Sequence, residues 1–219
     1  MRWSCPLALF TLLTLVAATP LAAQPAPPSI TFEPAALVAS GMSPGGQVAW
    51  FGVARESADH SAKIVRRETV ATDDDRDGAV RLDLGREVPL VSIWVAVDLA
   101  TGKVAVATPE GFPLRRIALP GAGAVPGGTG PDRLELNRGY LELLVVRPGS
   151  GVWGATVGDG GEADDDGAQD GRVTVALAHL RAGGTSPAAP QSLGPGDLLV
   201  AIDPNEMEVA VSQIPGAAR

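Results

Sequence analysis

Cysteine is almost absent: the 219 residues contain one, Cys5. It falls inside residues 1–23, which read as a secretory signal peptide. Arg2 supplies the positive charge, 6–18 are mostly apolar, and Leu21-Ala22-Ala23 gives small residues before an expected cut at Gln24. The expected product therefore has no thiol. Disulfides, a thiol nucleophile and cysteine-based metal or redox centres are excluded, so burial alone has to hold the fold. Long apolar runs are missing after the signal, and the signal's own apolar core is shorter than the roughly 20 residues of a membrane span. No Asn-x-Ser/Thr glycosylation sequon occurs. Histidine is also scarce. His60 lies in a polar stretch and His179 follows an apolar one, so both read as surface or packing residues. Asp59-His60-Ser61 are neighbours in sequence, but a catalytic triad is assembled in space, and the adjacency identifies nothing. No Gly-x-Ser-x-Gly elbow, His-Glu-x-x-His pair or phosphate loop is present.

What is abundant is acid, glycine, proline and small aliphatic residues. The formal charge is −8, and removing 1–23 takes away Arg2 and no acid, which makes it −9. Negative charge of this size argues against nucleic acid or an anionic membrane surface as partner. The 27 glycines and 19 prolines break the chain into short apolar runs, and no sustained helical spacing follows the signal. That pattern predicts an all-β protein.

Strands are expected at 29–32, 47–55, 63–72, 79–84, 91–97, 103–108 and 114–119, and again at 140–147, 152–157, 172–177, 197–202 and 208–211. The best patterned is 79–84, with Val80, Leu82 and Leu84 on one face and Arg81 and Asp83 on the other. The two halves echo each other. Asp73-Asp74-Asp75-Arg76-Asp77-Gly78 before one strand is answered by Asp164-Asp165-Asp166-Gly167-Ala168-Gln169-Asp170-Gly171 before another. Trp94-Val95-Ala96-Val97-Asp98 is answered by Leu199-Val200-Ala201-Ile202-Asp203. The expected architecture is two antiparallel β-sandwich repeats formed by internal duplication, at 24–119 and 132–219, with a Gly/Pro linker at 120–131.

Two features carry candidate chemistry. Asp73, Asp75 and Asp77 followed by Gly78 match positions 1, 3, 5 and 6 of an EF-hand-type loop, an arrangement that can turn alternate oxygens onto one calcium ion. Position 12 is Leu84 instead of a bidentate glutamate, and no helix pair flanks the loop. The competing reading is an acidic turn whose aspartates cap backbone N–H groups. Trp50 and Trp94 lie inside strand patterns and are expected in the core. Trp153 follows a glycine turn and is the candidate for an exposed ligand-stacking platform.

The acidic turn before Val80-Arg81-Leu82-Asp83-Leu84 resembles bacterial immunoglobulin-like and carboxypeptidase-regulatory-like (transthyretin-type) sandwich modules. The resemblance implies a noncatalytic envelope or secreted module. A second stretch, Ser186-Pro187-Ala188-Ala189-Pro190-Gln191-Ser192-Leu193-Gly194-Pro195-Gly196-Asp197, resembles the PDZ signature and implies a peptide-binding module. Pro190 and Ser192 depart from that signature. The leading expectation is a secreted or periplasmic interaction or structural module. It would have no membrane span and no catalytic residue, and its partner would be an envelope or extracellular protein or polymer. A PDZ-like peptide binder and a hydrolase using acidic residues are the alternatives.

Overall fold

The computed structural model describes residues 26–55, 64–89, 91–109, 115–116, 133–136, 139–161, 164, 167–171, 173–183 and 188–214. The expected signal peptide, the 120–131 linker, His60 and Ser186-Pro187 lie outside them. The described residues are all-β apart from one short 3-10 turn at Leu177–His179. None of their helices is long and apolar enough to cross a membrane.

The strands are β1 Ser29–Glu33, β2 Ala36–Ser40, β3 Gln47–Arg55, β4 Ile64–Thr72, β5 Ala79–Asp83, β6 Ser92–Asp98, β7 Val104–Ala107 and β8 Arg115–Arg116. They continue as β9 Arg133–Leu136, β10 Tyr140–Arg147, β11 Gly151–Gly158, β12 Val173–Ala176, β13 Arg181–Ala182, β14 Leu198–Asp203 and β15 Glu208–Gln213. Four sheets result. Sheet I runs β1-β2-β5, sheet II β4-β3-β6-β7, sheet III β13-β11-β10-β14-β15-β8 and sheet IV β12-β9. The pairing scheme recurs between the halves. β3 lies between β4 and β6 with β7 beyond, just as β10 lies between β11 and β14 with β15 beyond. The β2–β5 pair has its counterpart in β9–β12.

The side-chain alternation of each strand decides how the sheets stack. Val48 and Trp50 on β3 meet Leu37 and Ala39 of β2 and Val80 and Leu82 of β5, which closes sheet I on sheet II. The opposite face of sheet II presents Ala49, Phe51, Val53, Ile93, Val95 and Val97 to Leu144, Val146, Leu198, Val200 and Ile202 of sheet III. Sheet III's other face, with Leu141, Leu143, Val145 and Trp153, packs on Val173 and Val175 of sheet IV. The molecule is thus a stack of four layers in which the two central sheets are covered on both faces. This is why β6 and β14 read as unbroken apolar runs and not as alternating ones.

Three hydrogen-bonded or packed contacts fix the relative direction of the halves. Gly149 N–H donates to Leu99 O at 2.6 Å, Gly102 packs by Pro148 and Leu198, and Arg55 Nη1 donates to Asn205 O at 3.4 Å. The β6–β7 turn of the first half therefore abuts the β10–β11 turn of the second, at the opposite end from its acidic loop. The two acidic loops lie at opposite ends of the stack.

Several strands went beyond the sequence reading. β2 is apolar from Ala36 to Ala39 and shows no period, and β9 is only four residues long. The 114–119 stretch, expected to finish the first repeat, contributes Arg115 and Arg116, which pair in parallel with Glu208 and Val209 of the second half's sheet. Gly52 illustrates why one residue has no side chain. It sits directly across from Trp94, and a Cβ there would come 2.3 Å from Trp94 Cζ3.

Candidate functional site

The acidic turn begins where β4 leaves sheet II. Asp73 N–H donates to Gly46 O at 3.0 Å, which continues the β3–β4 ladder by one step and carries the Asp73 side chain inward. The carboxylate is 2 % exposed. Its Oδ2 accepts the N–H groups of Gly45 and Gly78, both at 2.9 Å, and Oδ1 accepts that of Arg76 at 3.0 Å. One aspartate thus ties the β2–β3 turn to the β4–β5 turn. Arg76 at φ 63° and Gly78 at φ 79° are the left-handed residues that let the loop curl around it. Asp77 Oδ1 accepts Ala79 N–H at 2.7 Å and starts β5.

Burial raises the Asp73 pKa, but the Gly45 and Gly78 amides, the Asp75 side chain and the Arg76 amide outweigh it, and the carboxyl is held below its ordinary value. Asp75 moves the other way. Its side-chain hydrogen bond to Asp73 raises it, the Asp77 amide lowers it, and the charge of Asp77 adds to the rise. Asp73, Asp75 and Asp77 each offer an oxygen within 4.8 Å of the others. That spacing suits one hard cation taking oxygen ligands at about 2.3–2.6 Å. The loop is nevertheless already closed by its own backbone donors, so a cation would add to a turn that forms without it.

Asp98, at the end of β6, is a second staple that sequence reading had used only as a repeat marker. It is fully buried. Its Oδ2 accepts Ser43 N–H at 2.8 Å, Ser43 Oγ–H at 2.6 Å and Thr101 Oγ1–H at 2.8 Å. Oδ1 accepts the amides of Ala100 at 2.9 Å and Thr101 at 3.3 Å. Burial opposes its ionisation, but the Ser43, Thr101 and Ala100 donors prevail and keep it below the ordinary carboxylate value. Asp203 holds the equivalent place on β14 and accepts the Asn205 and Glu206 amides at 2.9 and 3.1 Å. The signal available in sequence was the aspartate closing each apolar strand just before a turn.

Two aspartates share the work in the second acidic loop. Asp159 takes the place of Asp73 one residue past its strand but is half-buried, whereas Asp164 is the buried one. Asp159 N–H donates to Gly139 O at 3.0 Å, and its carboxylate accepts Asp170 N–H at 3.1 Å and Gly171 N–H at 2.9 Å. Asp164 lies in the longer loop that follows and accepts the Gly160 amide at 2.9 Å.

Trp153 is not a platform. It is 1 % exposed and packs in the core between sheets III and IV. The β11 strand begins at Gly151 itself, and Trp153 pairs opposite Val145 with its ring on the inner face. Trp50 and Trp94 are in the core as expected. His179 is exposed at the end of the 3-10 turn.

Of the PDZ-like stretch, the described residues 188–197 form turns and no helix. Asp197 closes them. Arg147 grips it with Nε to Oδ1 at 2.9 Å and Nη2 to Oδ2 at 2.7 Å, and Arg147 Nη2 also donates to Ser192 O at 2.9 Å. The bond to Asp197 pushes the Arg147 guanidinium above its ordinary value, against the effect of burial. Gly194 N–H donates to Asp197 Oδ2 at 2.8 Å.

One open cleft lies at the seam of the halves. It measures about 250 Å³ and is lined by Gln47, Val70, Leu99, Gly149, Ser150 and Gly183 among others. No protein-family model matches the chain, and no curated protein matches it at a significant level.

Proposed function

We propose that the chain is an exported, noncatalytic interaction or structural module of the cell envelope, built from two immunoglobulin-like or transthyretin-like sandwich repeats. The observation that carries the reading is the use made of its buried acids. Asp73, Asp98 and Asp203 accept turn amides, and Asp197 is clamped by Arg147. Carboxylates committed in this way fix loop shape and are taken out of reach of a substrate. The recurrence of one strand order in both halves supports an internal duplication and favours the sandwich resemblance over the PDZ one, which requires helices. A partner would be another envelope or extracellular protein or a polymer.

The acidic turn is a candidate for a single calcium ion, a reading supported by the close approach of the Asp73, Asp75 and Asp77 oxygens. The ion would stiffen the loop and not act on a substrate.

The test is crosslinking of tagged mature chain in envelope extract, followed by identification of the captured species, beside a screen of glycosidase, esterase and peptidase substrates. A specific, saturable partner with no turnover is expected. Turnover that is lost on replacing Asp75 and Asp77 by asparagine would replace the module reading with the hydrolase one.

A further inference from the structure

The seam between the two central sheets is made of like faces. Asp73 N–H on Gly46 O and Asp159 N–H on Gly139 O set Gly46 against Gly139, so β10 answers β3 residue for residue. Ala49 lies opposite Val97 and Val97 opposite Val104, just as Glu142 lies opposite Ile202 and Ile202 opposite Val209. Phe51 therefore answers Leu144, Val95 answers Val200 and Val97 answers Ile202, and all six belong to the one core cluster between sheets II and III. The ends of the seam follow the same rule. Gly149, in the β10–β11 turn, donates to Leu99 in the β6–β7 turn, and Arg55, where β3 ends, reaches Asn205 in the β14–β15 turn. Each half thus offers the other the same surface, which is the arrangement of a two-fold dimer.

The correspondence breaks at one pair. Gly102 and Met207 hold the same place in their turns, each just before the residue that pairs with Asp98 or Asp203. Both are left-handed, at φ 71° and φ 53°. Such backbone is ordinary for glycine and costly for a residue with a side chain. At Gly102 a Cβ would come 2.9 Å from Pro148 Cγ and 3.2 Å from Leu198 Cδ1, both on the second half. Met207 instead carries a buried side chain into the seam cluster. Were the second halves of two copies to meet through this face, each Met207 would stand where Gly102 stands, driven into Pro148 and Leu198 of the other copy.

We propose that the seam is a dimer interface of single repeats brought inside one chain, and that Gly102 set against Met207 bars second halves from pairing with each other. The inference rests on the duplication in the reading above and goes beyond it by naming what the central face of the second half accepts: a first half, and not its own like. The strained methionine then has a use. It favours the unlike pair by disfavouring the like one, a choice made by a clash as much as by a fit. Two copies that open at the seam cannot join through their second halves, and each is left to close on a first half.

The test divides the whole sequence between Gly127 and Gly128 into two co-expressed chains, with the second made in two tagged forms. Capture on either tag is expected to bring the first chain in equal amount and none of the other tagged form. Met207→Gly in the second chain should raise capture of one tagged form by the other about tenfold or more. Gly102→Ala in the first chain should cut its capture by the second about tenfold or more, because the methyl group meets Pro148 across the seam. Gly85→Ala is the control: at φ 69°, with nothing within 4 Å of an added Cβ, it carries the same backbone strain and should leave capture unchanged. Halves that do not co-purify, parent second chains that capture each other as readily as the variant, or equal losses from the two alanine variants would overturn the proposal. So would a Met207→Gly chain with no added self-capture, when the same substitution leaves the melting temperature of the undivided chain within a few degrees of the parent. Capture of an envelope partner by the undivided chain tests the module reading separately, so the two can fail apart.

Discussion

Replacing Asp98 by alanine tests the idea that buried acids here shape loops. The carboxylate accepts five hydrogen bonds from two turns. In the variant the Ser43 and Thr101 hydroxyls can turn to water, whereas the amides of Ser43, Ala100 and Thr101 keep their directions and lose their acceptor. A stranded buried donor costs about 1–3 kcal/mol. Ser43 is half-buried and Ala100 and Thr101 are exposed, so the low end applies to all three, and the sum is at most about 3 kcal/mol. For a chain of this size each kcal/mol moves the melting temperature by about 2–4 °C, which gives a fall of up to roughly 6–12 °C. Asp98→Asn keeps one acceptor and should fall by about half as much. The sign of the pH dependence follows from the lowered folded-state pKa. The stabilisation is complete above the unfolded value near 3.8 and is lost as pH falls through the still lower folded value. The gap between parent and Asp98→Asn should therefore be widest above about pH 5 and narrow below pH 3.8. Thermal unfolding followed by tryptophan fluorescence from pH 7 to pH 2.5 reads both quantities. A fall under about 2 °C for Asp98→Ala at pH 7, or a gap that does not change with pH, would refute the argument.

Other outcomes follow from the same geometry. Millimolar calcium is expected to raise the melting temperature by a few degrees, and the rise should vanish in the Asp75→Asn/Asp77→Asn double variant; no rise would leave the acidic turn as a backbone staple alone. Gly52→Ala should cost about 1–3 kcal/mol in urea unfolding, because its methyl group meets the Trp94 ring and the well-packed layer cannot give way. Asp159→Ala should lower stability by about 1 kcal/mol, as the loss of a cap does, which checks that Asp159 anchors the second loop. Leu144→Ala, at the seam between the central sheets, should cost about 2–5 kcal/mol.

Much of the fold was legible because turn residues bracket the strands so plainly. Glycine and proline mark the ends of β3, β6, β10 and β14, and the clean alternation of Val80, Leu82 and Leu84 identifies a strand with one wet face. The layering was not legible. Central strands covered on both faces lose their period, so β6 and β14 announce burial without saying what covers them. β2 hides because Ala36 to Ala39 are apolar throughout, and β9 because four residues are too few to establish a pattern. At the candidate site the sequence showed which acids cluster but not which of them turns inward. Asp73 does so because it is the first residue past a strand end, and Asp164 does so from within the longer second loop. A run of identical neighbours cannot reveal that; Trp153 was misplaced for a different reason, because β11 lies in a sheet covered on both faces and offers no open face for its ring.

The stacking of the two central sheets also imposes a timetable on the growing chain. The face made by Phe51, Val53, Ile93, Val95 and Val97 is finished once β6 is in place, but its covering includes Val200, Ile202 and Val209, on the last two strands. Synthesis at about 5–20 residues per second leaves that face waiting roughly 5–20 s for its lid. Through that interval the apolar side of the first half is covered only in part, by Leu144 and Val146 of β10 once these are made. A holding chaperone would find its binding surface there, and a truncated chain lacking β14 and β15 would be left permanently in that state.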